Sequence, residues 1–348
     1  MQASSRMLFS LTLVSLMLPL CLAAQAGTGP SWEHYKSLFL AGDGRVIDYG
    51  QQHSSTSESQ GYGMLLAVFN DDRKAFDTIW NWSRSNLSVR KDSLMAWLWG
   101  KRPNDKWEVM DYNNATDGDI LISFALLKAA RQWNSANYRQ EAIPIVRSLR
   151  EQLAVVHEGD TFILPGYYGF TNNGNVTLNP SYLIFPAYRL FAEVDEPAFW
   201  KGVYRSAIEL LHNSCLGTPC LPADWVRLEG KSIRMDETRS TMFSYDAIRT
   251  LLHLSWEDKP MPGGLSRVFD FYAQRGIIPE WVDLRTDAMS DRRAHAGVYA
   301  VYGLAARLSG NTETGKKLLY EARDNIMKEE RNYYSYSLYL LSLIEEPI

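Results

Sequence analysis

The sequence predicts an all-α protein, about a dozen helices folded as antiparallel hairpins in one domain. Three observations lead there. Apolar residues recur at helical spacing through most of the chain, short turn-forming links join successive segments, and no Pro/Gly/Ser-rich linker or charge block divides the sequence. At 348 residues the chain is long enough for one large core.

In order, the helical segments are 32–40, 60–70, 73–85, 118–133, 136–153, 181–192, 197–214, 245–256, 264–274, 294–309, 313–329 and 333–345. They fall into pairs. Gly61–Asn70 is followed at once by Ala75–Ser85 across Asn70-Asp71-Asp72, and Ala294–Ser309 by Glu313–Lys328 across Gly310-Asn311. Between pairs lie Asn86–Thr116, His157–Asn179 and Leu216–Ser244, rich in Gly, Pro, Asn and Trp and too irregular for helix. Loops of that length in a compact domain are usually functional, so they are expected to wall a cleft.

The N-terminus predicts export. Arg6, the apolar run Met7–Leu22 and the pattern Ala24-Gln25-Ala26 have the form of a secretory signal peptide over 1–26, leaving a mature chain 27–348 with no membrane span, placed in the periplasm or secreted. Leu20 before Cys21 argues against a lipid-attachment site. The formal charge of −4 lacks the basic footprint of a nucleic-acid binder and suits a neutral polymer. Cys215 and Cys220 leave two readings open, a local disulfide or two reduced thiols in a surface loop. With no clustered histidines, no H-E-x-x-H and no P-loop, no cofactor or metal is expected.

Three acids each open an apolar helix: Glu58 in Thr56-Ser57-Glu58-Ser59-Gln60-Gly61-Tyr62-Gly63, Asp117 in Ala115-Thr116-Asp117-Gly118-Asp119, and Asp246 in Ser244-Tyr245-Asp246-Ala247-Ile248-Arg249. Taken singly, each also suits a helix cap, because first-turn acids complement the macrodipole, and Thr116-x-x-Asp119 has the form of a capping box. Their company points to chemistry: Gly61, Gly63 and Gly118 permit close backbone approach, and Tyr62 and Tyr245 carry phenolic donors. Glycosidic bond cleavage needs such a carboxyl pair, one protonating the leaving oxygen and one on the other face of the sugar. A helix N-terminus lowers a carboxyl pKa, so a proton-donating Glu58 needs burial or a neighbouring carboxylate to offset the dipole.

Trp97, Trp99 and Trp107 precede Asp117, and Trp225 precedes Asp246; indole faces on loops suit sugar rings. Trp80, Trp82, Trp133 and Trp200 fall on helices and are assigned to the core. The six histidines, His295 among them, are read as structural or surface residues, and Arg323–Arg331 as a solvated helix face.

Ala115-Thr116-Asp117-Gly118-Asp119 with Ala125, Ala129 and Trp133 resembles the signature helix of glycoside hydrolase family 8. Ala96-Trp97-Leu98-Trp99-Gly100-Lys101, Pro180-Ser181-Tyr182 and Ser244–Arg249 are similar to blocks of the subgroup encoded beside bacterial cellulose synthase. The resemblance spans nearly the whole mature chain. It implies an (α/α)6 toroid of six helical hairpins with long cleft-forming loops, and an inverting endo-1,4-β-glucanase acting on β-1,4-glucan in bacterial cellulose biosynthesis, with the cellulose synthase complex as a partner. Glu58 is then the general acid and Asp246 the general base. Asp117, described as the nucleophile in some accounts of the family, holds the sugar or the water, since inversion has no covalent intermediate. Tyr62, Trp97, Trp99, Trp107, Tyr182, Trp225, Tyr245 and Arg249 form the expected substrate contacts. Two departures stand out: Ser59 where the family has glycine, and Ser123 where alanine is usual. The rival readings are another β-glycanase (xylanase, mixed-linkage glucanase or chitosanase) and a non-catalytic glucan-binding assembly factor.

Overall fold

A computed structural model describes residues 29–257, 261, 265–329 and 331–344. The expected signal peptide lies outside them. The helices are α1 (Trp32–Phe39), α2 (Ser57–Phe69), α3 (Arg73–Asn86), α4 (Thr116–Gln132), α5 (Ala136–Leu153), α6 (Phe185–Phe191), α7 (Pro197–Asn213), α8 (Arg249–Ser255), α9 (Val268–Arg275), α10 (Ala296–Leu308), α11 (Thr312–Ile326) and α12 (Tyr333–Leu341). Each falls within a segment of apolar periodicity or extends it by a few residues.

The helices build two concentric layers. The even-numbered ones pack in a closed ring, α2 on α4, α4 on α6, α6 on α8, α8 on α10, α10 on α12 and α12 back on α2. Their partners lie outside: α3 on α2, α5 on α4, α7 on α6, α11 on α10, with α9 against α10. The sixth hairpin is made from both ends of the chain, because α1 packs on α12. This is the (α/α)6 toroid. The layers follow from composition: α2, α4, α8 and α10 bury nearly every side chain, whereas α3, α5, α7 and α11 bury a single face.

Four helix starts, those of α1, α2, α3 and α12, are capped by side chains. Asp72 accepts from the Ala75 N–H at 2.9 Å and Asn332 from the Ser335 N–H at 3.1 Å. At α2 the Thr56 hydroxyl accepts from the Ser59 N–H, and the Ser59 hydroxyl accepts from the Thr56 N–H, both at 3.0 Å. Ser59 therefore completes a capping box, which explains the departure from glycine. Ser123 donates to its own helix, to the Asp119 carbonyl at 2.7 Å.

The three long connections differ from the irregular chain expected of them. They carry short strands: Leu98–Lys101 with Trp107–Asp111, a four-stranded antiparallel sheet of Thr171–Asn172, Asn175–Leu178, Val226–Glu229 and Ser232–Met235, and Met242–Phe243 paired with Val282–Asp283. At two to five residues these strands lie at or below the shortest length at which alternation marks a strand, although Asn175–Leu178 and Val226–Glu229 do alternate buried and half-buried side chains. Cys215 and Cys220 form a disulfide. Among the described residues no helix is long and apolar enough to cross a membrane.

Candidate active site

The N-terminal ends of all six inner helices meet at one mouth of the toroid. A cleft of about 750 Å³ opens there, lined by Glu58 at the start of α2, Asp117 at the start of α4, Tyr182 just before α6, Asp246 and Arg249 at α8, His295 before α10 and Asn332–Tyr334 at α12. Glycines allow the closest of these approaches. A Cβ on Gly118 would lie 2.5 Å from the Ser57 Cβ, and one on Gly61 would lie 2.5 Å from the Leu121 Cβ, so α2 and α4 touch backbone to side chain where Glu58 and Asp117 begin. The Ser57 N–H donates to the Trp97 carbonyl at 3.0 Å, which ties the tryptophan loop to the same helix start.

Arg249 sits at the centre, 2 % exposed. Its Nη1 donates to Glu58 and to Asp117 (3.0 Å), and its Nη2 donates to Asp246 (2.8 Å). One guanidinium thus gathers all three acids singled out in the sequence. Asn179 Nδ2 donates to the second oxygen of Asp246 at 3.1 Å, and the Gly118 N–H donates to Asp117 at 2.8 Å. Three carboxyls around one cation leave an excess of negative charge in a poorly solvated place. Burial, with the charges of Asp117 and Asp246, outweighs the pull of Arg249 and pushes Glu58 up to about 8. Burial also raises Asp117 against the opposing effect of Arg249 and the Gly118 N–H. Both answers to the helix-dipole problem at Glu58 are present together.

Thr116 and Asp119 do not form a capping box. The Thr116 hydroxyl donates to the Leu164 carbonyl at 2.6 Å, while Asp119 accepts from the Met95 N–H at 2.7 Å and from Asn114 Nδ2 at 2.9 Å, holding the loops on either side of Trp97.

Of the expected sugar contacts, Trp97, Tyr182, Tyr245 and Arg249 line the cleft. Tyr62 is fully buried and packs below its floor. Trp99 and Trp107 stack on each other at 5.0 Å with the Arg45 guanidinium against both rings, off the cleft lining, and Trp107 is 40 % exposed. Trp225 stands behind Tyr182, edge-on at 6.2 Å, with Arg239 against its face. Cleft residues that sequence reasoning missed are Asp48, Tyr49, Gln51, His295, Arg331, Asn332, Tyr333 and Tyr334. His295, read as a structural or surface residue, lies on the cleft wall. Asn332 Nδ2 is 3.2 Å from its Nδ1 and the Tyr245 hydroxyl is 2.9 Å from its Nε2.

The model of glycosyl hydrolases family 8 matches residues 8–346. The chain belongs to that family. It is 34% identical to an endoglucanase of Cellulomonas uda over 94% of this chain and 92% of the relative. Among solved structures it resembles the family 8 endoglucanase Cel10 of Klebsiella pneumoniae, at 35% identity and TM-score 0.80, covering 89% of this chain and 96% of that one. It also resembles the endo-β-1,4-glucanase CMCax of Acetobacter xylinum, at 31% identity and TM-score 0.80, over 89% and 95% of the two chains. This family 8 glycosyl hydrolase therefore carries its candidate carboxyls where the inner helices of the toroid converge.

Proposed function

We propose that this glycosyl hydrolase is an endo-1,4-β-glucanase that cleaves internal bonds of β-1,4-glucan with inversion. The observation that carries the reading is a carboxyl pair of unlike environment across one cleft: Glu58, pushed up to about 8 and so protonated at neutral pH, and Asp246, held by Arg249 and Asn179. Glu58 gives its proton to the glycosidic oxygen. Asp246 takes a proton from a water that attacks the anomeric carbon on the opposite face, and the oxygen of that water becomes the new hydroxyl. Asp117, between them on Arg249, holds the distorted sugar. Trp97, Tyr182 and Tyr245 supply faces for the rings of an extended chain, and a cleft open to solvent suits internal cleavage.

Residues 27–348 would act as one catalytic domain after removal of the 1–26 leader, in the periplasm or outside the cell. The Cys215–Cys220 disulfide fits an oxidising compartment. The likeness of its sequence blocks to the cellulose-operon subgroup supports a role in cellulose biosynthesis, beside a cellulose synthase complex.

The test is hydrolysis of a soluble cellulose derivative and of β-1,4-gluco-oligosaccharides, with the first product anomer followed by NMR. The α-anomer is expected first, and β-anomer first would overturn inversion. Glu58→Gln should cost about 10²–10⁴-fold in kcat, and unchanged turnover would remove Glu58 from the acid role. Glucan binding without turnover by the unaltered protein would favour the assembly-factor reading.

A further inference from the structure

The turn that carries Asp246 is held from beneath by another carboxylate, which does not line the cleft. Asp224 is 5 % exposed and lies in the loop between the disulfide and the strand Val226–Glu229. Its Oδ1 accepts from the backbone N–H groups of Ser244 and Ala247, each at 2.9 Å. Its Oδ2 accepts from the hydroxyls of Ser244 at 2.5 Å and Ser240 at 3.1 Å. Its own N–H donates to the Met242 carbonyl at 2.7 Å. Ser244 and Ala247 bracket Tyr245 and Asp246, so a single oxygen fastens both ends of the turn that presents them. An ionised carboxylate accepts all four donors at once. The arrangement has an electrostatic cost, since burial and the nearby Asp246 push Asp224 up to about 6.

We propose that Asp224 is a positioning residue for hydrolysis: it sets the backbone of residues 244–247 and thereby aims the Asp246 carboxylate at the attacking water without touching substrate. The proposal rests on the reading of Asp246 as the general base. Arg249 and Asn179 fix the rotation of the Asp246 carboxylate, but they cannot correct a displaced Cα. A shift of about 1 Å in a reacting group costs roughly 10²-fold in rate.

Steady-state kinetics on a β-1,4-gluco-oligosaccharide, with thermal unfolding of each variant, test it in the full chain. Asp224→Ala should lower kcat about ten- to a hundredfold with KM within about twofold. Asp224→Asn, whose amide oxygen still accepts both backbone N–H groups, should stay within about threefold of the unaltered kcat at the same KM. A full kcat for Asp224→Ala, equal losses in the two variants, or a KM rising in step with the loss would each overturn the proposal. Should Asp224→Ala not fold, Ser244→Ala carries the test: it removes one hydroxyl bond and should lower kcat about three- to tenfold at unchanged KM, and an unchanged kcat would overturn it. Asp246→Ala separates the two readings. If it keeps activity, the base assignment fails and this inference with it; if it is inactive while Asp224→Ala is fully active, the inference alone fails.

Discussion

At the residue scale the site is a balance of fields on Glu58. The α2 dipole and Arg249 favour its anion, whereas burial and the charges of Asp117 and Asp246 favour its acid, and the second set prevails. The sign of the pH dependence follows. A general acid works only while protonated, so the alkaline limb of kcat/KM should fall about tenfold per unit as pH rises above about 8. A pH–rate profile on a neutral oligosaccharide checks this, and Glu58→Gln should abolish that alkaline limb along with most of the activity. The three acids were legible in the sequence because each opens an apolar helix. Their common counter-charge was only half legible: Arg249 stands three residues after Asp246, but nothing local shows that its other nitrogen reaches residues 58 and 117.

At the element scale, the helix that carries the acid is begun by Thr56 and Ser59 rather than by a glycine turn. Ser59→Ala removes one half of that capping box and leaves the Glu58 carboxyl in place. It should lower stability by roughly 1 kcal/mol, read as a drop in thermal midpoint, while hydrolysis at neutral pH persists. The helices were legible because each carries its own 3.6-residue repeat over several turns. The strands were not, because the alternation in Asn175–Leu178 and Val226–Glu229 runs over only four residues, the shortest run that marks a strand, and each pairs with a segment some fifty residues away.

At the scale of the whole molecule, ring closure does the positioning. Helices α2 and α4 meet at Gly61, where an added Cβ would fall 2.5 Å from that of Leu121. Gly61→Ala should therefore cost roughly 1–3 kcal/mol through overpacking, measured by denaturant unfolding. Because the strain sits one turn from Glu58, kcat should fall as well. Closure also explains the missed residues. Asp48 and Tyr49 follow α1, and Asn332–Tyr334 open α12, so the two ends of the chain meet on the cleft only because α1 packs against α12. His295 joins them by preceding α10.

The sequence by itself determined about a dozen helical segments, the pairing of neighbours joined by short turns and the three acids at helix starts, since these depend on local periodicity and on residues close in the chain, whereas the hairpin of α1 with α12 does not. The family resemblance supplied the toroid and the chemistry those acids imply. The tertiary structure alone decided which side chains share the cleft, that one buried arginine joins Glu58, Asp117 and Asp246, and that Tyr62 lies beneath the floor while His295 lines it. The physical reason is that desolvation and Coulomb interaction depend on distance in space, and here the charges that set the state of Glu58 lie 59 to 191 residues away along the chain.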